Sequence, residues 1–289
     1  MRDSMKKIIC IVGPTGVGKT KLSVMLAKKY DAVILNADSM QVYKYLNIGT
    51  AKPTEEEKEN VPHYLFDIVD PKDMYTVYDY QRDLRAKLEE FKDRNIVIVG
   101  GTGLYLKSAL YNYEFDEEDE IDLFEDKSNE ELFKEVENKY PELDIHVNNR
   151  KRLVRALNRD DVKTHKNELL YPATFIGLTT DRETLYNRIN LRVDKMVEEG
   201  LLEEVKHFYD EGLRSKAIMT GIGYKELYDY FDNKCSLEEA LDLIKQRSRK
   251  YAKRQYTWFK NQMDVNWIDV DFKNFNNTFD EAVKIIESK

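Results

Sequence analysis

Cysteine is nearly absent: Cys10 and Cys235 are the only two in 289 residues, far apart and with no metal-ligand spacing around either. A zinc site built on cysteine is therefore excluded, and Cys10, inside an apolar stretch, is expected to pack in a core. No run approaches the roughly 18 apolar residues of a membrane span, and no basic-then-apolar leader precedes the first apolar stretch. Nothing is expected to export or anchor the chain, and its expected location is the cytoplasm. Internal repeats and low-complexity tracts are missing as well. Positive charge is in deficit, with 46 Lys and Arg against 54 Asp and Glu for a net charge of −8. A protein coated in positive charge is thus ruled out, but a nucleic-acid binder needs only a local basic surface.

What is present centres on Gly13-Pro14-Thr15-Gly16-Val17-Gly18-Lys19-Thr20, a G-x4-G-K-T pattern between the apolar residues 8–12 and a helix-prone stretch at 21–30. In that strand, turn and helix context the pattern is a phosphate-binding loop. Glycines let successive N–H groups turn inward, the new helix adds the positive end of its dipole, and Lys19 adds a mobile cation. The cradle suits two linked phosphates, with the Thr20 hydroxyl offered to a bridging Mg²⁺.

At 289 residues the chain exceeds the roughly 150 of one domain, so one large core with an inserted or appended piece is expected. Residues 32–35 read as a second buried strand, ending in Asn36-Ala37-Asp38-Ser39-Met40-Gln41. Ligands of open parallel sheets collect at the carboxyl ends of strands, which would bring Asp38 to the crevice of the phosphate loop; a turn or cap role fits Asp equally. Residues 77–93 have helical spacing, and 96–99 form the next strand, running into Gly100-Gly101-Thr102 where a nucleotide hydrolase would place a magnesium-organising Asp. That absence counts against a motor or a switch.

Strongly acidic residues at 114–126 and a basic helical stretch at 149–159 interrupt the strand rhythm, which resumes at 174–178. The division expected is a core of 1–112 and 169–289 around a helical insertion of 113–168. Asp181 caps a helix on which Arg188 and Arg192, four apart, share a face. The longest helix, capped by Ser236 and Glu239 and running to about Lys260, would span roughly 35 Å. Leu241, Ile244, Tyr251, Ala252, Trp258 and Phe259 make its core stripe, while Lys245, Arg247, Arg249, Lys250, Lys253 and Arg254 crowd the remainder without an intervening acid. A plain surface helix usually mixes signs, so a phosphate-facing role is expected, in particular for Arg249, Lys250, Lys253 and Arg254. Residues 265–270 add a last strand.

Together the motifs resemble the bacterial tRNA dimethylallyltransferases, or tRNA isopentenyltransferases. The resemblance covers nearly the whole chain: GPTGVGKT at 13–20, NADSMQVY at 36–43, IGTAKP at 48–53, GGTGLYLKSAL at 100–110, RKRLVRAL at 150–157, RINLRVDKM at 188–196, GIGYKE at 221–226 and YAKRQYTWF at 251–259. It implies a P-loop NTPase-like α/β core, a parallel sheet flanked by helices, with a helical insertion that grips the tRNA anticodon stem-loop. It implies transfer of a dimethylallyl group from dimethylallyl diphosphate to N6 of the adenosine 3′ of the anticodon, by a cytoplasmic monomer needing Mg²⁺. By matching position Asp38 is the general base, and Ser39, Met40 and Gln41 line the adenine pocket. Lys19, Thr20 and Arg192 stabilise the diphosphate, Thr102 contacts the target nucleotide, and Lys151, Arg152, Leu153, Val154 and Arg155 grip tRNA. The insertion departs from the family pattern with Val147 for the usual proline and Asn149 for the usual aspartate. Two other readings share these residues: an isopentenyltransferase for free adenine nucleotides, and a P-loop small-molecule kinase.

Overall fold

Alternate residues of the apolar runs face opposite ways, and both faces are buried. The computed structural model describes residues 6–113, 124–141, 143, 145–157 and 168–288. In chain order the elements are β1 (Ile8–Val12), α1 (Lys19–Tyr30), β2 (Ala32–Asn36), α2 (Glu55–Lys58), β3 (His63–Tyr64), α3 (Val77–Glu90), β4 (Asn95–Val99), α4 (Gly103–Leu110), α5 (Asn129–Lys139) and α6 (Arg150–Leu157). There follow β5 (Thr174–Thr179), α7 (Arg182–Glu198), α8 (Leu201–Asp210), α9 (Lys216–Thr220), α10 (Tyr224–Phe231), α11 (Leu237–Gln262), β6 (Asn266–Asp269) and α12 (Phe275–Glu287). The strands form one parallel sheet in the order β3-β2-β4-β1-β5-β6. This is the α/β class expected from the sequence.

Ile9 and Ile11 of β1 pack on one face with Leu22 and Leu26 of α1 and Ala282 and Ile286 of α12. Cys10 and Val12 pack on the other with Leu84 of α3, Leu106 of α4 and Phe259 of α11. A sheet covered by helices on both sides must be apolar on both, which is why its strands read as continuous hydrophobic runs. Burial in that second layer pushes the Cys10 thiol well above its ordinary pKa, so it stays a neutral packing group.

Local signals set many helix starts: Thr54 with Glu57, Thr76 with Asp79, Ser128 with Glu131 and Ser236 with Glu239 are reciprocal capping boxes. Helix α10 follows two glycines that read as loop, yet Glu226 reaches back to accept from the Gly223 N–H at 2.8 Å and so closes its first turn. Helices α7 to α11 share a core in which Val193, Val205, Leu227 and Ile244 pack with Val42 and Leu46 from the chain beyond β2.

The chain divides into two compact units, Met1–Tyr111 with Leu169–Lys289, and Asn112–Glu168. In the smaller one, α5 and α6 bury Leu132, Val136, Ile145, Leu153, Val154 and Ala156 together. Arg150 braces it by donating to the Lys127 and Phe124 carbonyl oxygens at 2.7 and 2.6 Å.

Candidate active site

Three loops leave the carboxyl edge of the sheet side by side, after β1, β2 and β4, because the strand order makes β2, β4 and β1 successive neighbours. The loop after β1 carries Gly13 to Thr20. Gly18, at φ 95°, takes a left-handed turn into α1 that a side chain would oppose. Lys19 Nζ crosses the loop and donates to the carbonyl oxygens of Gly13 and Pro14 at 3.0 and 2.8 Å. Burial lowers the pKa of this lysine to about 7; the negative charge of Asp38 opposes the shift, and the positive charge of Arg192 adds to it.

The four-residue spacing on α7 brings both arginines to this loop. Arg192 donates to Thr15 Oγ1 at 2.8 Å, and Arg188 Nε donates to the Gly16 carbonyl at 2.9 Å while its guanidinium lies 3.9 Å from the Phe272 ring centre. Burial depresses the Arg192 pKa, with Asp38 and then Glu57 resisting. Asp38 and Arg192 thus lie close enough to Lys19 for their charges to act on it. Pro14 and Val17 are buried beneath the loop, and Thr20 opens the first turn of α1.

At the end of β2, the fully buried Asn36 fixes the loop that presents Asp38. Its Oδ1 accepts from the Asp38 N–H at 2.9 Å, and its Nδ2 donates to the carbonyls of Asp38 and Leu65 at 3.1 and 3.0 Å. Asp38 Oδ1 accepts from the Met40 N–H at 2.9 Å, so this carboxylate shapes its own turn as well as facing the cations. Thr102, at the start of α4, accepts from the Ser39 N–H at 3.0 Å and donates to Ser39 Oγ at 3.3 Å. Gln41 Nε2 donates to the Thr50 and Ala51 carbonyls at 2.9 and 3.1 Å.

Two residues of α11 belong to this constellation and escape sequence reasoning. Tyr251, read there as core stripe, lies close to Asp38; burial first and the Asp38 charge second push its phenol well above the ordinary tyrosine range. Gln255, 5% exposed, accepts from the Thr15 N–H at 2.9 Å and donates to the Gly101 carbonyl at 3.1 Å. A polar residue at a buried position between Ala252 and Phe259 is the signal that could have revealed it.

The cationic residues separate into two kinds. Lys250, Lys253 and Arg254 are exposed on α11. Arg249 is half-buried and donates to Asn190 Oδ1 at 2.6 Å. The acids missing from residues 245–254 come from other helices, since Lys245 pairs with Asp194 of α7 and Arg247 with the buried Glu226 of α10. On α6, Lys151 and Arg152 are exposed, whereas Leu153 and Val154, at 0% and 7% exposure, are core residues. The side chain of Arg155 lies outside the described residues.

Residues 41–262 match the family model described as IPP transferase. The chain is 48% identical over 291 residues to a tRNA dimethylallyltransferase of Bacillus velezensis, covering 93% of each sequence, and 44% identical over 302 residues to that of Anoxybacillus flavithermus, covering 98% and 97%. Among solved structures, the tRNA isopentenylpyrophosphate transferase of Staphylococcus epidermidis superposes with TM-score 0.77 at 39% identity, over 98% of this chain and 100% of that one. A eukaryotic dimethylallyltransferase acting on tRNA superposes with TM-score 0.81 at 28% identity, over 96% of this chain and 77% of that one.

Proposed function

The chain belongs to the IPP transferase family, and from that membership we propose how its own residues carry out the reaction. It transfers a dimethylallyl group from dimethylallyl diphosphate to the exocyclic N6 of an adenosine in tRNA, the one 3′ of the anticodon, and releases diphosphate. The observation that supports this reading is that the Asp38 charge acts on both Lys19 and Arg192, beside the loop whose Thr15 accepts from Arg192.

An adenine amino group is a weak nucleophile, its lone pair delocalised into the ring. It needs its proton removed as the new bond forms, and a leaving group whose charge is already neutralised. N6 attacks C1 of the allyl group, the C1–O bond breaks, its electron pair stays on the diphosphate oxygen, and Asp38 takes the N6 proton. Lys19 and Arg192 meet the developing charge on the diphosphate, within the loop formed by Gly13, Pro14, Thr15, Gly16, Val17 and Gly18. The target base leaves the anticodon stack to reach Asp38. Ser39, Met40 and Gln41 line its pocket and Thr102 contacts the nucleotide.

No group of three or more His, Cys, Asp or Glu suited to a metal occurs among the described residues. A Mg²⁺ would be held through the Thr20 hydroxyl in the first turn of α1, since this ion keeps several waters and needs few protein ligands. It would supply neutralising charge to the leaving group.

Lys151 and Arg152 on α6, and Lys250, Lys253 and Arg254 on α11, supply exposed cations for the tRNA backbone. A monomer is proposed. No helix of the described residues is long and apolar enough to cross a membrane, and a cytoplasmic site of action is proposed.

The test is incubation of the chain with isotopically labelled dimethylallyl diphosphate, or with γ-labelled ATP, in the presence of unmodified tRNA or free adenosine monophosphate. Label from the prenyl donor is expected in tRNA. Label in the free nucleotide alone, or from ATP alone, would replace this reading with one of its alternatives.

A further inference from the structure

The Gln255 amide makes two backbone hydrogen bonds of opposite sense, accepting from Thr15 and donating to Gly101. A backbone N–H only donates and a carbonyl only accepts, so these partners settle which end of the amide is oxygen. Thr15 lies in the loop after β1 and Gly101 in the loop after β4, and one side chain joins them. A methyl group at position 101 would stand 1.9 Å from Gln255 Nε2, so glycine there is what admits the amide. Thr102, the residue after Gly101, in turn holds Ser39, the neighbour of Asp38. Gln255 thus ties the diphosphate loop to the loop after β4, whose next residue, Thr102, holds the loop that presents the base.

We propose that Gln255 is a positioning residue that sets the separation between the diphosphate loop and the acceptor loop, so that the allylic carbon and N6 meet at attack distance. The inference rests on the reaction proposed above, with the donor in the loop after β1 and the acceptor beside Asp38. Neither substrate needs to touch Gln255. Its effect falls on the geometry of the bound pair: a displacement of about 1 Å between reacting groups costs on the order of 100-fold in rate, even when each substrate still binds.

The full-length chain carrying Gln255→Met keeps similar volume in the stripe and loses both hydrogen bonds. With both substrates saturating, its single-turnover transfer is expected to fall by about 10- to 100-fold, while the Kd values for pyrophosphate and for unmodified tRNA each stay within about threefold of the parent. Gly101→Ala should show the same division, because its methyl displaces the amide. In a Gln255→Ala background the space is open, so adding Gly101→Ala should cause no further loss. A Gln255→Met rate within about threefold of the parent overturns the proposal. So does a rate loss matched by an equal loss of pyrophosphate affinity, which would make Gln255 a support for the shape of one loop only. Additive losses in the double variant also overturn it. If Gln255→Met fails to melt cooperatively, Gln255→Glu decides by the same criteria, since it keeps the acceptor for Thr15 and loses the donor to Gly101. Asp38→Asn assayed alongside separates the two claims: a parent-like rate there removes the base and leaves the Gln255 result standing.

Discussion

Lys19 is expected to take up a proton when diphosphate binds. Its pKa of about 7, against an ordinary 10.5, arises from burial over the Gly13 and Pro14 carbonyls, with Arg192 adding repulsion and Asp38 returning part of the loss. At pH 8, one unit above that value, about one lysine in ten is charged before ligand arrives. A bound diphosphate brings at least two negative charges against the amine and restores the ammonium form. Binding at pH 8 should therefore draw about 0.9 proton onto this group, and at pH 6 only about 0.1. Titration calorimetry with pyrophosphate in buffers of different ionisation enthalpy reads the uptake. Pyrophosphate's own ionisation enters equally for the parent and for Lys19→Met, so their difference isolates the lysine. The sign also fixes a stability trend without ligand. The unfolded chain binds the extra proton between about pH 7 and 10.5, so the penalty of burying Lys19 is complete below pH 7 and fades as pH rises through that window. Equal uptake by parent and Lys19→Met at pH 8 would refute the claim that this lysine waits largely neutral.

Replacing Lys250, Lys253 and Arg254 by alanine should flatten the plot of log K for tRNA against log salt by about one for each phosphate no longer neutralised, whereas Arg249→Ala should leave the slope unchanged because its guanidinium is held by Asn190. A triple variant with the parent slope would make this face solvated charge. Leu153→Ala should destabilise the smaller unit by about 2–5 kcal/mol, since the side chain is fully buried among Leu132, Val136 and Ile145. Hydrogen exchange of α5 amides should quicken while that of β1 stays as in the parent; unchanged exchange in α5 would contradict the packing.

The parts of the molecule that announce themselves in sequence are those whose physics is local. The phosphate loop is legible because its glycines, lysine and threonine act within eight consecutive residues, and capping boxes because partners stand three apart. The two-residue strand β3 has too few positions to show a period, and the glycines before α10 conceal a helix closed by Glu226. Gln255 is invisible for the opposite reason: its partners are backbone atoms 240 and 154 residues away, and no pattern around it points to them. The cations of α11 look unopposed along the chain only because Asp194 and Glu226 arrive from other helices. In RKRLVRAL the motif is continuous while the helix is not uniform, since Leu153 and Val154 turn to the core and Lys151 and Arg152 to the surface.

Proton removal by Asp38 at the diphosphate site is tested most directly by Asp38→Asn in single-turnover transfer with saturating dimethylallyl diphosphate and unmodified tRNA. The asparagine oxygen can still accept from the Met40 N–H, so the turn that Asp38 now makes is preserved while the base is lost. The expected loss in rate is about 100- to 10,000-fold, with tRNA affinity falling far less, since the backbone contacts are proposed for the exposed cations of α6 and α11. An asparagine variant within a few-fold of the parent would contradict the assignment of Asp38 as the base.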